Sequence, residues 1–121
     1  MRVFKNKIFT RWAKKLLTDE SLLVAAEEIA AGDVEGDLGK KVFKKRIALP
    51  GGGKSGGVRT IVAFQKGDNT FFMYGFEKNK RANIKNDELE GLQKLAKKYF
   101  SYTDEELDTA VETKALVEIE R

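Results

Sequence analysis

Apolar side chains recur at helical spacing in the first third of the chain. One stripe consists of Ile8, Phe9, Trp12, Ala13 and Leu16, and a second stripe consists of Leu22, Leu23, Ala26, Ile29 and Ala30. Thr18 is placed to cap the second stripe at its start, and Gly32 follows it as a stop signal. The pattern predicts that the chain opens with a helical hairpin.

The middle of the chain changes to the short apolar runs that are typical of β-strands. Strands are predicted at residues 42–49, 58–65 and 70–76. The second and third runs are nearly continuous in apolar side chains, which favours central strands that are covered on both faces. Because residues 66–69 form a short turn between these two runs, we expect an antiparallel sheet.

The last third of the chain returns to helical patterning. Asn86 or Asp87 is placed to cap a helix that runs to about residue 99. Residues 103–106 have the Thr-x-x-Glu spacing of a capping box, which predicts a further short helix. Residues 115–119 have the composition of a terminal strand.

Composition restricts both the location and the chemistry. A length of 121 residues with 41% hydrophobic content suits one domain. No stretch approaches the roughly 18 apolar residues of a membrane span, and the start of the chain lacks the apolar core of a signal peptide, so a cytoplasmic protein without membrane contact is expected. Cys and His are both absent. Disulfides, thiolate nucleophiles and imidazole catalysis are therefore excluded, and we expect neither a metal nor a cofactor.

Positive charge is concentrated in the middle of the chain. Residues 38–67 contain no acid but hold the basic residues Lys40, Lys41, Lys44, Lys45, Arg46, Lys54, Arg59 and Lys66. Such a local field suits the phosphates of a polyanion, although a merely solvated surface is the alternative interpretation.

Five of these cations belong to two predicted neighbouring strands and the loop between them. They are Lys44, Lys45, Arg46, Lys54 and Arg59, and antiparallel pairing would bring them together. Arginine keeps its charge and stabilises a developing phosphorane, whereas a lysine whose pKa is lowered can exchange a proton. A binding surface for RNA without catalysis is the alternative.

Two further segments have the residue types of a nucleic-acid contact. The glycine-rich residues 51–57 end in part like a phosphate-binding P-loop, but Ala48 stands where that motif begins with glycine, and a strand follows instead of a helix. An ATPase or GTPase is therefore excluded. The segment after the third strand combines an aromatic ring with cations, which suits base stacking and phosphate neutralisation: Tyr74, Lys78, Lys80 and Arg81.

Taken in order, these residues resemble the RelE/ParE superfamily of type II toxins, and most closely its HigB-like members. The resemblance is carried by residues 43–48, 51–57, 58–60 and 74–79, and it covers roughly residues 1–100. It implies an α+β fold like that of microbial ribonucleases, in which an N-terminal helical hairpin and a C-terminal helix pack on an antiparallel β-sheet. Residues 101–121 would then be a C-terminal extension of the single domain, which comprises residues 1–121.

The resemblance also implies metal-independent cleavage of mRNA on the ribosome and neutralisation by a cognate antitoxin. The family's catalytic cations fall on Lys44, Arg46 and Arg59. The residues expected to bind RNA are Lys45, Lys54, Tyr74, Lys78, Lys80 and Arg81. Where RelE proteins have a tyrosine near the end of the last segment, this chain has Ile84 or Lys85. A non-catalytic toxin, such as a ParE-like gyrase inhibitor, or a plain nucleic-acid-binding module stays open as the alternative.

Overall fold

A computed structural model describes residues 1–49 and 57–120. Its strands are β1 (Val3–Asn6), β2 (Gly36–Asp37), β3 (Val42–Ile47), β4 (Val58–Phe64), β5 (Thr70–Glu77) and β6 (Leu116–Ile119). Its helices are α1 (Lys7–Ala13), α2 (Asp19–Ala30), α3 (Asn86–Phe100) and α4 (Asp104–Glu112). The strands form one sheet in the order β2-β3-β4-β5-β1-β6.

The sheet is mixed rather than antiparallel throughout. The β3–β4 and β4–β5 pairs are antiparallel. For β4 and β5, the short turn between them had predicted this pairing. The expectation of a wholly antiparallel sheet is wrong, because β1 lies between β5 and β6 and runs parallel to β5. A four-residue strand directly before a helix shows too little alternation to be recognised, and the long connection from β1 to β5 permits parallel pairing.

Helices cover both faces of the sheet. On one face, buried side chains of α1 and α2 pack with Val58 and Val62 of β4. On the other face, α3 and α4 pack with Ile61 and Ala63. The central position predicted for β4 and β5 is confirmed, since nearly all of their residues are buried. The fold is therefore α+β. Both helices that the pattern predicted in the last third of the chain are present as α3 and α4, whereas the resemblance implied one C-terminal helix. The hairpin arrangement of α1 and α2 stays a prediction.

The predicted helix starts follow local capping chemistry. The Thr18 hydroxyl accepts a hydrogen bond from the Ser21 N–H at 3.1 Å, as expected for an N-cap. The capping box of Thr103 and Glu106 is also confirmed at the start of α4. For α3 the N-cap is Lys85, one residue before the first predicted candidate, because the Glu88 carboxylate accepts from the Lys85 N–H at 2.8 Å.

Residues beyond 101 are joined to the start of the chain. Strand β6 pairs with β1 antiparallel, and Leu107 and Leu116 are buried in the core beneath α3 and α4. Arg2, directly before β1, donates to Glu118 of β6 at 3.0 Å and to Asp108 of α4 at 2.7 Å, which links the start of the chain to α4 and β6. The predicted C-terminal extension thus completes one edge of the sheet.

Candidate nucleic-acid site

Strand register places the three predicted catalytic cations on one face of the sheet. Arg46 lies directly opposite Arg59 on the neighbouring strand, and Lys44 lies opposite Ile61. Directly opposite residues project to the same side of a sheet, and Ile61 belongs to the core covered by α3. Lys44, Arg46 and Arg59 therefore project from the α3 face at the β3–β4 pair.

A carboxylate that the sequence analysis missed lies between two of these cations. The Arg59 Nε–H donates to the Glu35 carboxylate at 2.8 Å, and the Lys44 Nζ lies 3.6 Å from the same carboxylate. The Arg59 and Lys44 side chains are only 11% and 20% exposed, so these contacts are partly shielded from water. We call Glu35 with Lys44, Arg46 and Arg59 the Glu35 site.

Glu35 reaches this position through the chain that precedes β2. Its N–H donates to the Lys44 carbonyl at 2.8 Å, and Gly36 pairs with Lys44 in the sheet. Strand β2 has two residues and lies in a polar, glycine-containing stretch that reads as a surface loop. The acid-free stretch from residue 38 to residue 67 begins just after it, so the sequence offered no signal that an acid would join the cations.

Arg46 lies against the backbone of Gly57. A Cβ at Gly57 would stand 3.2 Å from both Nε and Nη2 of Arg46 and 3.2 Å from the Ile47 carbonyl oxygen. Gly57 also has a φ of 128°, which L side chains rarely adopt. Glycine is therefore required where the chain enters β4 beside Arg46. Arg46 and Glu35 share the lining of a cavity of about 480 Å³.

Lys45 projects to the opposite side of β3 from Lys44 and Arg46. Its Nζ donates to the Asp33 carbonyl at 2.9 Å and lies 3.2 Å from the Glu28 carboxylate. Lys45 lines the same 480 Å³ cavity, but it is buried and its charge is offset by these acids. The structure thus gives Lys45 an anchoring position between β3 and the end of α2. Lys54 lies outside the described residues.

The second predicted cluster is organised around Arg81. The Arg81 guanidinium donates to the Tyr74 hydroxyl at 3.0 Å and to the Glu88 carboxylate at 3.0 Å. Its central carbon lies 5.8 Å from the centre of the Phe76 ring, and Phe76 lies opposite Arg59 across the β4–β5 pair. Arg81 and Tyr74 therefore stand one strand away from the Glu35 site on the same face.

Arg81 and Glu88 form an ion pair one strand away from the Glu35 site, at what we call the Arg81 rim. The hydrogen bond from Arg81, assisted by the Lys85 N–H, lowers the pKa of Glu88 to about 2. The bond to Glu88 raises the pKa of Arg81 in turn. Both partners are thus fully charged at neutral pH, and the pair connects the turn after β5 to the first turn of α3.

The remaining predicted residues lie on the exposed turn after β5. Lys80 pairs with Glu77 at 2.9 Å, and Lys78 is exposed. At the positions where the resemblance expects a tyrosine, Ile84 packs against the core under α3 and Lys85 caps that helix. The tyrosine hydroxyl that lies next to Arg81 belongs to Tyr74, not to a residue at position 84 or 85.

Residues 1–119 match the family model described as the RelE toxin of the RelE/RelB toxin-antitoxin system. The chain belongs to the RelE toxin family. Membership makes it a toxin of a toxin-antitoxin system, for which a cognate antitoxin is the partner. The RelE match includes α4 and β6, beyond the residues that carried the sequence resemblance. A comparison with curated proteins gave no match.

The described part of this RelE-family chain contains neither a metal-ligating cluster nor a membrane-spanning helix. Within residues 1–49 and 57–120, acidic side chains do not gather in groups of three or more that suit a metal ion. Over the same residues, no helix combines the length and the apolar character that a bilayer crossing needs.

Proposed function

We propose that this RelE-family toxin is a metal-independent endoribonuclease of the HigB-like type, which cleaves mRNA on the ribosome in the cytoplasm. The observation that carries the proposal is that Lys44, Arg46 and Arg59 project from one face of the β3–β4 pair, where Lys44 and Arg59 share the carboxylate of Glu35. Lys44 and Arg59 are partly buried and held by Glu35, and such cations stabilise charge that develops on a phosphate more strongly than mobile surface cations do.

The reaction needs a proton acceptor, an electrophile and charge stabilisation. The ribose 2′-hydroxyl loses its proton and attacks the adjacent phosphorus, the bond from phosphorus to the 5′-oxygen breaks, and that oxygen takes up a proton. The products are a 2′,3′-cyclic phosphate and a 5′-hydroxyl. Glu35 offers a carboxylate to accept the first proton, and Lys44 is the alternative acceptor. Arg46 and Arg59 offset the charge of the pentacoordinate phosphate.

Arg59 is oriented before RNA arrives. Its Nε–H is engaged with Glu35, which sets the plane of the guanidinium. A guanidinium carries four more N–H donors on its terminal nitrogens, in a geometry that matches two phosphate oxygens. This arrangement supports a role for Arg59 as the principal phosphate contact.

Mapping of new 5′ ends in messages after induction of the toxin tests the proposal. Cleavage inside translated codons in the parent, and its loss in Arg59→Ala, is the expected result. Intact messages together with a DNA-damage response would instead support a ParE-like gyrase inhibitor and would overturn the nuclease.

The antitoxin is proposed to cover the basic face of the toxin. An acidic or helical segment would complement the charge of this surface and prevent non-specific contact with ribosomes. Co-purification of a stable heterocomplex whose formation restores growth is the expected result, and weaker capture of a charge-reversed Lys44→Glu toxin would locate the contact.

A further inference from the structure

A second cationic surface lies at the end of β3 that is farthest from Arg46. A cavity of about 710 Å³ separates α3 from the turn that leads into β3. Lys40 and Lys41 line it from the turn, and Lys94 and Lys97 line it from the helix. We call these four residues the lysine groove. Glu90 is the acidic residue in the lining, so the groove keeps an excess of positive charge.

The helical wall of the groove is one stripe of α3. Glu90, Gln93, Lys94 and Lys97 have the i, i+3, i+4, i+7 spacing that places side chains on the same helix surface. This stripe is distinct from the buried one that contains Ala96 and Tyr99. The two lysines therefore stand together above the turn, with their charged ends exposed to water.

The opposite wall is a turn with an unusual backbone. Gly39, Lys40 and Lys41 have φ values of 88°, 55° and 67°, so two consecutive residues with side chains follow glycine in the left-handed region. Such a conformation costs free energy in residues other than glycine and is concentrated at functional positions. The Gln93 side-chain amide donates to the Leu38 carbonyl at 3.0 Å and ties the turn to α3.

The groove lysines differ from most other cations of the α3 face in having no acidic partner. In the described part of the chain, none of the four comes within 4 Å of a carboxylate oxygen, whereas Lys44, Arg59 and Arg81 all form ion pairs. Four like charges around one cavity repel each other unless an anion joins them. The groove is therefore arranged for an external polyanion.

Its position favours the backbone of a nucleic acid. Lys41 directly precedes β3 and lies three residues before Lys44, about 10 Å along the strand. The groove and the Glu35 site thus follow one another along the same strand, on the face that α3 covers. Lysines on flexible stems act as point charges, which suits phosphates in any base sequence.

We propose that the lysine groove binds the phosphate backbone of RNA beside the segment that enters the Glu35 site, and that it contributes affinity without taking part in the chemistry. This inference rests on the proposed function. The phosphates could belong to the mRNA on either side of the cut or to ribosomal RNA, and separate probes distinguish these two sources.

The test compares two variants that remove the same charge. In Lys94→Gln/Lys97→Gln the groove loses two lysines, whereas Lys14→Gln/Lys15→Gln removes two exposed lysines that follow α1. The probes are a 2′-O-methyl RNA oligonucleotide, which cannot be cleaved, and small ribosomal subunits without mRNA. Binding is measured over a series of salt concentrations, and thermal unfolding shows whether each variant is folded.

We expect the groove variant alone to show a shallower salt dependence. Each phosphate contact to single-stranded nucleic acid adds about 0.7 to the slope of log K against log salt, so the loss of two contacts lowers the slope by about 1.4. An effect with the oligonucleotide assigns the groove to mRNA, and an effect confined to the ribosomal subunits assigns it to ribosomal RNA.

Three outcomes would overturn the inference. They are an unchanged slope with both probes, an equal change in the Lys14/Lys15 variant, and loss of antitoxin capture in the groove variant while RNA binding is retained. The last outcome would identify an antitoxin surface. If the parent protein cleaves no message but the slope still changes only in the groove variant, the proposed nuclease activity is wrong. The proposed binding of RNA by the lysine groove is then still supported.

Discussion

The Glu35 site and the lysine groove are both cationic, but among the described residues only the first pairs its cations with a carboxylate. In the Glu35 site, Arg59 and Lys44 share a carboxylate and are largely buried. In the lysine groove, the side chains are exposed and have no carboxylate within ion-pair distance in the described residues. Charges that are paired internally are oriented before a ligand binds, which suits one phosphate in a defined geometry. Exposed charges without partners attract a polyanion over a longer range but orient it little.

The largest effect is expected from Arg59→Ala. Loss of a positioned phosphate contact should lower the single-turnover rate of mRNA cleavage on ribosomes by roughly 10²–10³-fold. Arg11→Ala removes an exposed arginine from α1 and is the matched control, for which we expect the parent rate. If both variants cleave at the parent rate, Arg59 makes no catalytic contact with the phosphate. Its orientation by Glu35 would then not set the Glu35 site apart from the lysine groove.

Glu35→Gln separates proton transfer from orientation. The amide oxygen can still accept from Arg59 Nε, but it cannot accept a proton, so we expect a rate reduction of about 10² in the same assay. Affinity for the 2′-O-methyl oligonucleotide should not fall, since a negative charge is removed. Glu105→Gln, at an exposed position in the first turn of α4, is the control. If Glu35→Gln cleaves at the parent rate, Glu35 is not the proton acceptor, and Lys44 is the remaining candidate.

Gly57→Ala tests whether the position of Arg46 matters. A methyl group there would displace the Arg46 guanidinium and would strain a backbone at φ 128°, at a cost of about 1–3 kcal/mol in stability. Gly67 also has a positive φ but has no atom within 4 Å of a built Cβ, so Gly67→Ala is the matched control. Urea unfolding should show a loss in both variants. Cleavage, measured at equal folded concentration, should fall only in Gly57→Ala.

The smallest effect is expected at the Arg81 rim of the site. Because the pKa of Glu88 lies at about 2, below its ordinary value of 4.5, the pair with Arg81 stabilises the fold above pH 4.5 and loses this contribution as the pH falls towards 2. The melting temperature of Glu88→Gln should therefore lie slightly below that of the parent at pH 7, with the difference vanishing near pH 2. A difference that is constant across this range would contradict the ion-pair explanation.

Local patterns predicted more of the fold than of the site. Apolar runs located β3, β4 and β5, and the Thr18 and Thr103 caps followed from chemistry within one helical turn. Strand alternation already placed Lys44 with Arg46 and separated both from Lys45, although the sequence interpretation grouped all three. Strand β1 was missed because its parallel partner lies more than sixty residues away along the chain.

The sequence by itself determined the available chemistry and the central strands. Without Cys or His, the chemistry is restricted to lysine, arginine, tyrosine, serine, threonine and carboxylates, and composition alone shows this. The tertiary structure decided which cations are neutralised and which are not. Strand β2 brings Glu35 to Lys44 and Arg59, and Gln93 on α3 ties the helix to the turn of Lys40 and Lys41. These contacts join segments that are far apart in sequence, so their charges combine only once the sheet and α3 have assembled.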